Sequence, residues 1–383
     1  MYEGTPLHFP ETFFSFQDKG NPPFAQQRDE IKFNSEIIII CKKIFDTVKE
    51  MHDKKIEVRY SSLLVARLYE VFEGYWVDVL LSQNRDRIGI KFWRKVIEIT
   101  KNWQKDHPEI FIHLGTPYYF LAENYLMVGD LDSAFAYLHE ATNIDKKTWQ
   151  WKYPDHMGSY CLSKLLDKPQ SQMNYIVRDL RTELLIFIGI FNERYSDFNI
   201  QDFDDKFLRN ENELLDMGYF FAYTFFSIVQ SKRNAILESS ENSFSKLRSL
   251  DIIFNLCLII DEILKNNFLR NETDQNKRTI SYSIEKLCIK MNWTNSYQLM
   301  KHWENNGKFD LGHMDKIIQM LLLKNENFDG KDIEKEVFTM MLVYVLRNYG
   351  AHNLNQHSIV VEKYNEIITE LMMALFISVK SIF

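Results

Sequence analysis

From about Ile31 to Leu237 the apolar residues recur at intervals of three and four with short polar breaks, and no run keeps a sustained apolar-polar alternation. That spacing predicts amphipathic helices. Beyond residue 246 the period resumes: Leu250, Ile253, Cys257, Ile260 and Leu264 make one apolar stripe on a helix expected from about Ser249 to Phe268. Further helices are expected at about Ile280 to Met291, Met314 to Lys324, Asp332 to Tyr349 and Ser358 to Ile382. The expected fold class is all-α, with an N-terminal helical-repeat-like array followed by an antiparallel bundle of helices.

Two interruptions divide the pattern. Residues 1–30 hold Pro6, Pro10, Pro22 and Pro23, half of the 8 prolines, among aromatics, and so read as an extended arm. The polar stretch "ESSENSFSK", Glu238 to Lys246, reads as a linker. The expected organisation is therefore an arm (1–30), an array (31–237), a linker (238–246) and a bundle (247–383).

One segment of the array is sharper than the rest. In "YYFLAENYLMVGDLDSAFAYLHEAT", Tyr118, Leu121, Ala122 and Tyr125 precede a Gly129-Asp130 turn signal, and Ala134, Leu138 and Ala141 follow it. Small residues at these positions let two helices approach closely. About residues 115–148 resemble a single tetratricopeptide repeat, except that Lys146 or Lys147 stands where the repeat ends in proline. An ordinary helical hairpin would carry the same spacing. Ser61 to Phe72 and Asn174 to Tyr195 are helical in period but match the repeat poorly.

With 383 residues the chain exceeds the roughly 250 that one core organises well, so at least two domains are expected. The content of 45% hydrophobic residues with only 13 glycines suits helices joined by short loops. Net charge is −7, which disfavours a sequence-blind polyanion binder. That excess lies N-terminally, because residues 245–383 hold seventeen Lys and Arg against seventeen Asp and Glu. Cys41, Cys161, Cys257 and Cys288 lie far apart, with no metal-ligand spacing, and read as reduced core thiols. The N-terminal "MYEGTPLHFPETFFSF" lacks the features of a secretory leader, and no run approaches the ~20 apolar residues of a membrane helix. A cytoplasmic protein without membrane contact is expected. Glycine-rich phosphate loops and zinc-protease or serine-hydrolase motifs are also absent; "GKFDLGHM", Gly307 to Met314, has His where a phosphate loop needs Lys.

The densest cluster of polar chemistry is "RNYGAHN", Arg347 to Asn353. On a continuous helix, residues five apart are turned by about 140° from one another. Gly350 could end the helix after Tyr349 and swing His352 back toward Arg347. Such a cluster joins a permanently charged fork of donors to an imidazole that titrates near neutrality. The same residue types also suit a helix C-terminal cap. His357 reads as solvated, and Asp261 and Glu262 read as surface carboxylates.

With its polar Asn348 and its setting late in a helical bundle, this stretch resembles the Arg-x4-6-His motif of the HEPN domain (higher eukaryotes and prokaryotes nucleotide-binding), over about residues 245–383. The resemblance implies a metal-independent endoribonuclease without a cofactor, with His352 in proton transfer, Arg347 on the phosphate and Asn348 orienting the site. It also implies an RNA substrate, a role in antiviral, CRISPR-linked or toxin-antitoxin defence, and a homodimer with a composite active site. Leu371, Met372, Leu375 and Phe376 of the closing helix are expected to contribute to the dimer contact. A protein or small-molecule regulator would act through the array. The alternative is a non-catalytic scaffold, a tetratricopeptide-like array with a HEPN-like dimerisation module.

Overall fold

Fifteen α-helices and no strand make up the described residues of the computed structural model, which are 27–80, 85–148, 157–167, 174–209, 215–234, 243–274, 277–293, 314–324, 333–350 and 359–382. The all-α class holds. The contacts divide the chain into two compact units, residues 1–152 and 153–383.

The first unit contains α1 (Gln27–Asp53), α2 (Val58–Leu80), α3 (Arg85–Asp106), α4 (Gly115–Met127) and α5 (Leu131–Thr148). Its core is aromatic and aliphatic, with Trp93, Tyr69, Phe92 and Phe120 packed among Ile37, Ile44, Val96 and Leu121. The segment singled out by its small residues folds as a helical hairpin of α4 and α5, and Tyr118, Leu121, Ala122, Tyr125, Ala134, Leu138 and Ala141 are all buried. Its turn has a clear cause. Gly129 takes φ 79°, a left-handed conformation that a side chain disfavours, and Asp130 accepts the Ser133 backbone N–H at 3.0 Å to start α5.

The second unit contains α6 (Gly158–Ser163), α7 (Asn174–Arg194), α8 (Ile200–Phe203), α9 (Leu215–Asn234), α10 (Ser243–Phe268), α11 (Ile280–Lys290), α12 (Met314–Leu323), α13 (Lys335–Gly350), α14 (Ile359–Glu362) and α15 (Tyr364–Lys380). A single π-helical turn, Asp204–Leu208, follows α8. Arg181 clamps it, donating to both Asp204 oxygens at 3.1 and 2.9 Å. Desolvation still holds the Asp204 carboxyl above its ordinary range, with Arg181 pulling it down.

The boundary between units differs from the one read in the sequence. Helices α7 to α9, expected in the array, pack with the bundle: Phe191 of α7, Phe198 beyond it and Phe203 of α8 lie 5.7, 5.5 and 5.6 Å, ring centre to ring centre, from Phe376 on α15, and α9 packs on α10. The expected linker is partly helical, since α10 begins at Ser243; residues 235–242 lie outside the described residues, as does the expected arm up to residue 26. The expected closing helix is two helices, α14 and α15.

Leu371, Met372, Leu375 and Phe376, expected at a dimer contact, are instead fully buried within the second unit. From Ile367 to Val379 the one residue of α15 that is not buried is Thr369. A helix apolar all round belongs in the middle of a core, not on a surface.

Candidate functional site

Arg347 lies in the last turn of α13 and Asp261 on α10, two helices that pack against each other in the second unit. The Arg347 Nε–H donates to Asp261 Oδ2 at 3.2 Å, and Nη1 donates to the Asn348 side-chain oxygen at 3.4 Å. Lys265, one turn beyond Asp261, donates its Nζ to the same carboxylate oxygen at 2.8 Å. Two cations therefore share one oxygen of one buried acid.

The burial is uneven, and this shapes the chemistry. The Asp261 side chain is 1% exposed, whereas that of Arg347 is 37% exposed. The acid is locked in the core while the guanidinium reaches the surface, held by one edge. With two of its five donors engaged among the described residues, Arg347 has donors suited to a further acceptor such as a phosphate. Its hydrogen bonds among the described residues go to side chains, and none goes to the last carbonyls of α13. An arginine serving only as a C-terminal cap would bond those carbonyls.

Asp261 Oδ1 is buried and has no hydrogen-bond partner among the described residues. A buried carboxylate oxygen left without a donor is costly, and the two cations on Oδ2 are what hold the acid in place. Beneath them the Cys257 thiol is pushed far up by burial and secondarily by the Asp261 charge, with Arg347 opposing. It is an inert packing thiol, not a nucleophile.

Asp261 was expected on the surface, and it is not. It follows Cys257 by four residues and so falls on the buried stripe of α10, where a carboxylate persists because Arg347 and Lys265 reach it. Glu262, one residue on, is half-exposed and 3.6 Å from Lys265, in keeping with a surface position.

α13 runs to Gly350, one residue beyond the expected end at about Tyr349. His352, the expected proton-transfer residue, and His357 lie outside the described residues. Arg347 and Asn348 are brought together, and Asp261 and Lys265 join them. The signal for Asp261 was present as the one acid in phase with the apolar stripe.

Among the described residues no group of His, Cys, Asp and Glu is arranged to hold a metal ion, and no helix is long and apolar enough to cross a membrane. No protein-family model matches the chain, and no curated protein and no solved structure matches it.

Proposed function

We propose that the chain is a metal-independent endoribonuclease of the HEPN type that cleaves single-stranded RNA at a site built on Arg347, Asn348 and His352. The observation that carries this reading is Arg347 itself, fixed from below by a buried acid while its outer donors meet no acceptor among the described residues and its side chain is 37% exposed. In the reaction a base takes the proton of a ribose 2′-hydroxyl, and the 2′-oxygen attacks the adjacent phosphorus. The bond to the 5′-oxygen then breaks as an acid protonates that oxygen. The products are a 2′,3′-cyclic phosphate and a 5′-hydroxyl. Arg347 stabilises the charge on the pentavalent phosphorus, Asn348 fixes the guanidinium from the side, and His352 transfers protons.

One imidazole per chain serves a reaction that gains from a separate acid and base, so a two-fold dimer facing two copies of residues 347–352 fits the inventory. With the apolar face of α15 committed to the core, the contact would use other surfaces near the end of α13. A defence role, with the helical array as the controlling element, follows from the same resemblance.

A second reading has its own support. The ion network of Arg347, Asp261 and Lys265 also ties α10 to α13, as a purely structural bundle would require, and this favours the non-catalytic scaffold.

The separating experiment incubates the purified chain with single-stranded RNA in EDTA and identifies the product ends. The proposal expects cleavage to persist and to leave 2′,3′-cyclic phosphate and 5′-hydroxyl termini. Complete inhibition by EDTA, or 5′-phosphate products, would contradict it.

A further inference from the structure

A second site lies at the other end of α13, about 18 Å from Arg347 by helical rise between positions 335 and 347. There the C-terminal ends of α7 and α12, the start of α13 and the first half of α15 border an open cavity of about 730 Å³. That volume is within the usual range for small-molecule sites, about 300–1,000 Å³.

The floor of the cavity is Glu370, a buried carboxylate on a helix otherwise given to core packing. Its Oε1 accepts from Arg194 Nη1 at 2.7 Å, and its Oε2 accepts from Lys324 Nζ at 3.0 Å and from the Thr339 hydroxyl at 2.8 Å. Thr339 has one proton and gives it to Glu370, so the Tyr195 hydroxyl, 2.9 Å away, must donate to Thr339. Lys324 in turn donates to the Tyr195 oxygen and sits over the Tyr195 ring, 4.9 Å from its centre. Three donors, from Arg194, Lys324 and Thr339, thus converge on one acid, and Tyr195 links the last two.

This arrangement leaves a surplus of donors on the wall. Arg194 spends one N–H on Glu370, and its side chain remains 43% exposed. Lys335 also lines the cavity, is exposed, and forms no ion pair among the described residues. Of the two other acids on the wall, Glu366 is engaged by Lys363 at 2.8 Å, and Glu193 is exposed at the rim on the residue before Arg194. Lys324 itself has φ 46°, a left-handed backbone unfavourable for a lysine, and it is held there with its ammonium in the network. Leu322 and Leu323 add an apolar wall, and Leu323 is 70% exposed.

Prepositioned cations with unspent donors, beside an exposed leucine in a cavity of this size, suit a particular ligand class. We propose that the cavity binds a small phosphate-bearing molecule of nucleotide size, with the phosphate held by Arg194, Lys324 and Lys335 and the body of the ligand against Leu323. Glu370 is the positioning residue that fixes Arg194 and Lys324. The proposal does not depend on RNA cleavage at Arg347.

The test titrates the full chain at low salt with inorganic phosphate, pyrophosphate, AMP and ATP, using citrate as a carboxylate comparator, and reads binding calorimetrically. The informative variant is Lys335→Glu, because an exposed acid in the first turn of α13 favours the helix and leaves the fold intact. Lys42→Glu, at an exposed position in the first unit, makes the same change in net charge as a control. The expected result is saturable binding of AMP or ATP below about 1 mM, weakened at least tenfold by Lys335→Glu and unchanged by Lys42→Glu. Absence of saturable binding by all phosphate probes, binding of citrate alone, or equal affinity in Lys335→Glu would overturn the proposal.

Discussion

Arg347 donates to Asp261 at 3.2 Å across a sequence separation of 86 residues, and the acid is buried while the base is not. A charge pair with one member in the core and one at the surface is a means of aiming the outer member. If Asp261 positions Arg347 for phosphate, Asp261→Asn should lower RNA cleavage about 10- to 100-fold, the scale of a small misplacement of a catalytic group. Stability should fall by only about 1–3 kcal/mol, since Lys265 and Arg347 can both turn toward water. Cleavage rate and urea denaturation, measured on the same preparation, check this. Wild-type cleavage in a folded Asp261→Asn protein would remove Asp261 from the account.

Two glycines should respond to alanine in opposite directions. Gly129 holds φ 79° at the turn between α4 and α5, so Gly129→Ala should destabilise the chain by about 1 kcal/mol. Gly189 lies within α7, and no neighbouring atom stands within 4 Å of the place an added methyl would take, so Gly189→Ala should stabilise by about 0.5–1 kcal/mol. Thermal melts of both variants check the signs.

Much of this architecture was legible as periodicity. The stripe from Leu250 to Leu264 marks the buried face of α10, and the small residues around Gly129 mark the α4–α5 hairpin. What periodicity misses is long-range pairing of charge. Asp261 and Glu370 are acids in otherwise apolar stretches, and a polarity scale assigns them to the surface. Each is buried because cations distant in sequence reach it, Arg347 in one case and Arg194 with Lys324 in the other. The compact units divide earlier in the chain than the expected linker for a related reason, since the phenylalanines that join α7 and α8 to α15 have no local signature of their partner.

A composite site makes a prediction of its own. When wild-type protein is mixed with excess His352→Ala protein under subunit exchange, mixed dimers should lose most of their activity. Activity simply proportional to the wild-type fraction would mean that each chain works alone.

The central claim is that Arg347 and His352 cleave RNA, and its most direct measurement is the single-turnover rate on single-stranded RNA in EDTA for wild type, Arg347→Ala and His352→Ala. The account predicts cleavage by the wild type and a loss of about 10²- to 10⁴-fold in each variant, with the helical circular dichroism signal retained. An inactive wild-type protein, or variants that cleave at the wild-type rate, would contradict it.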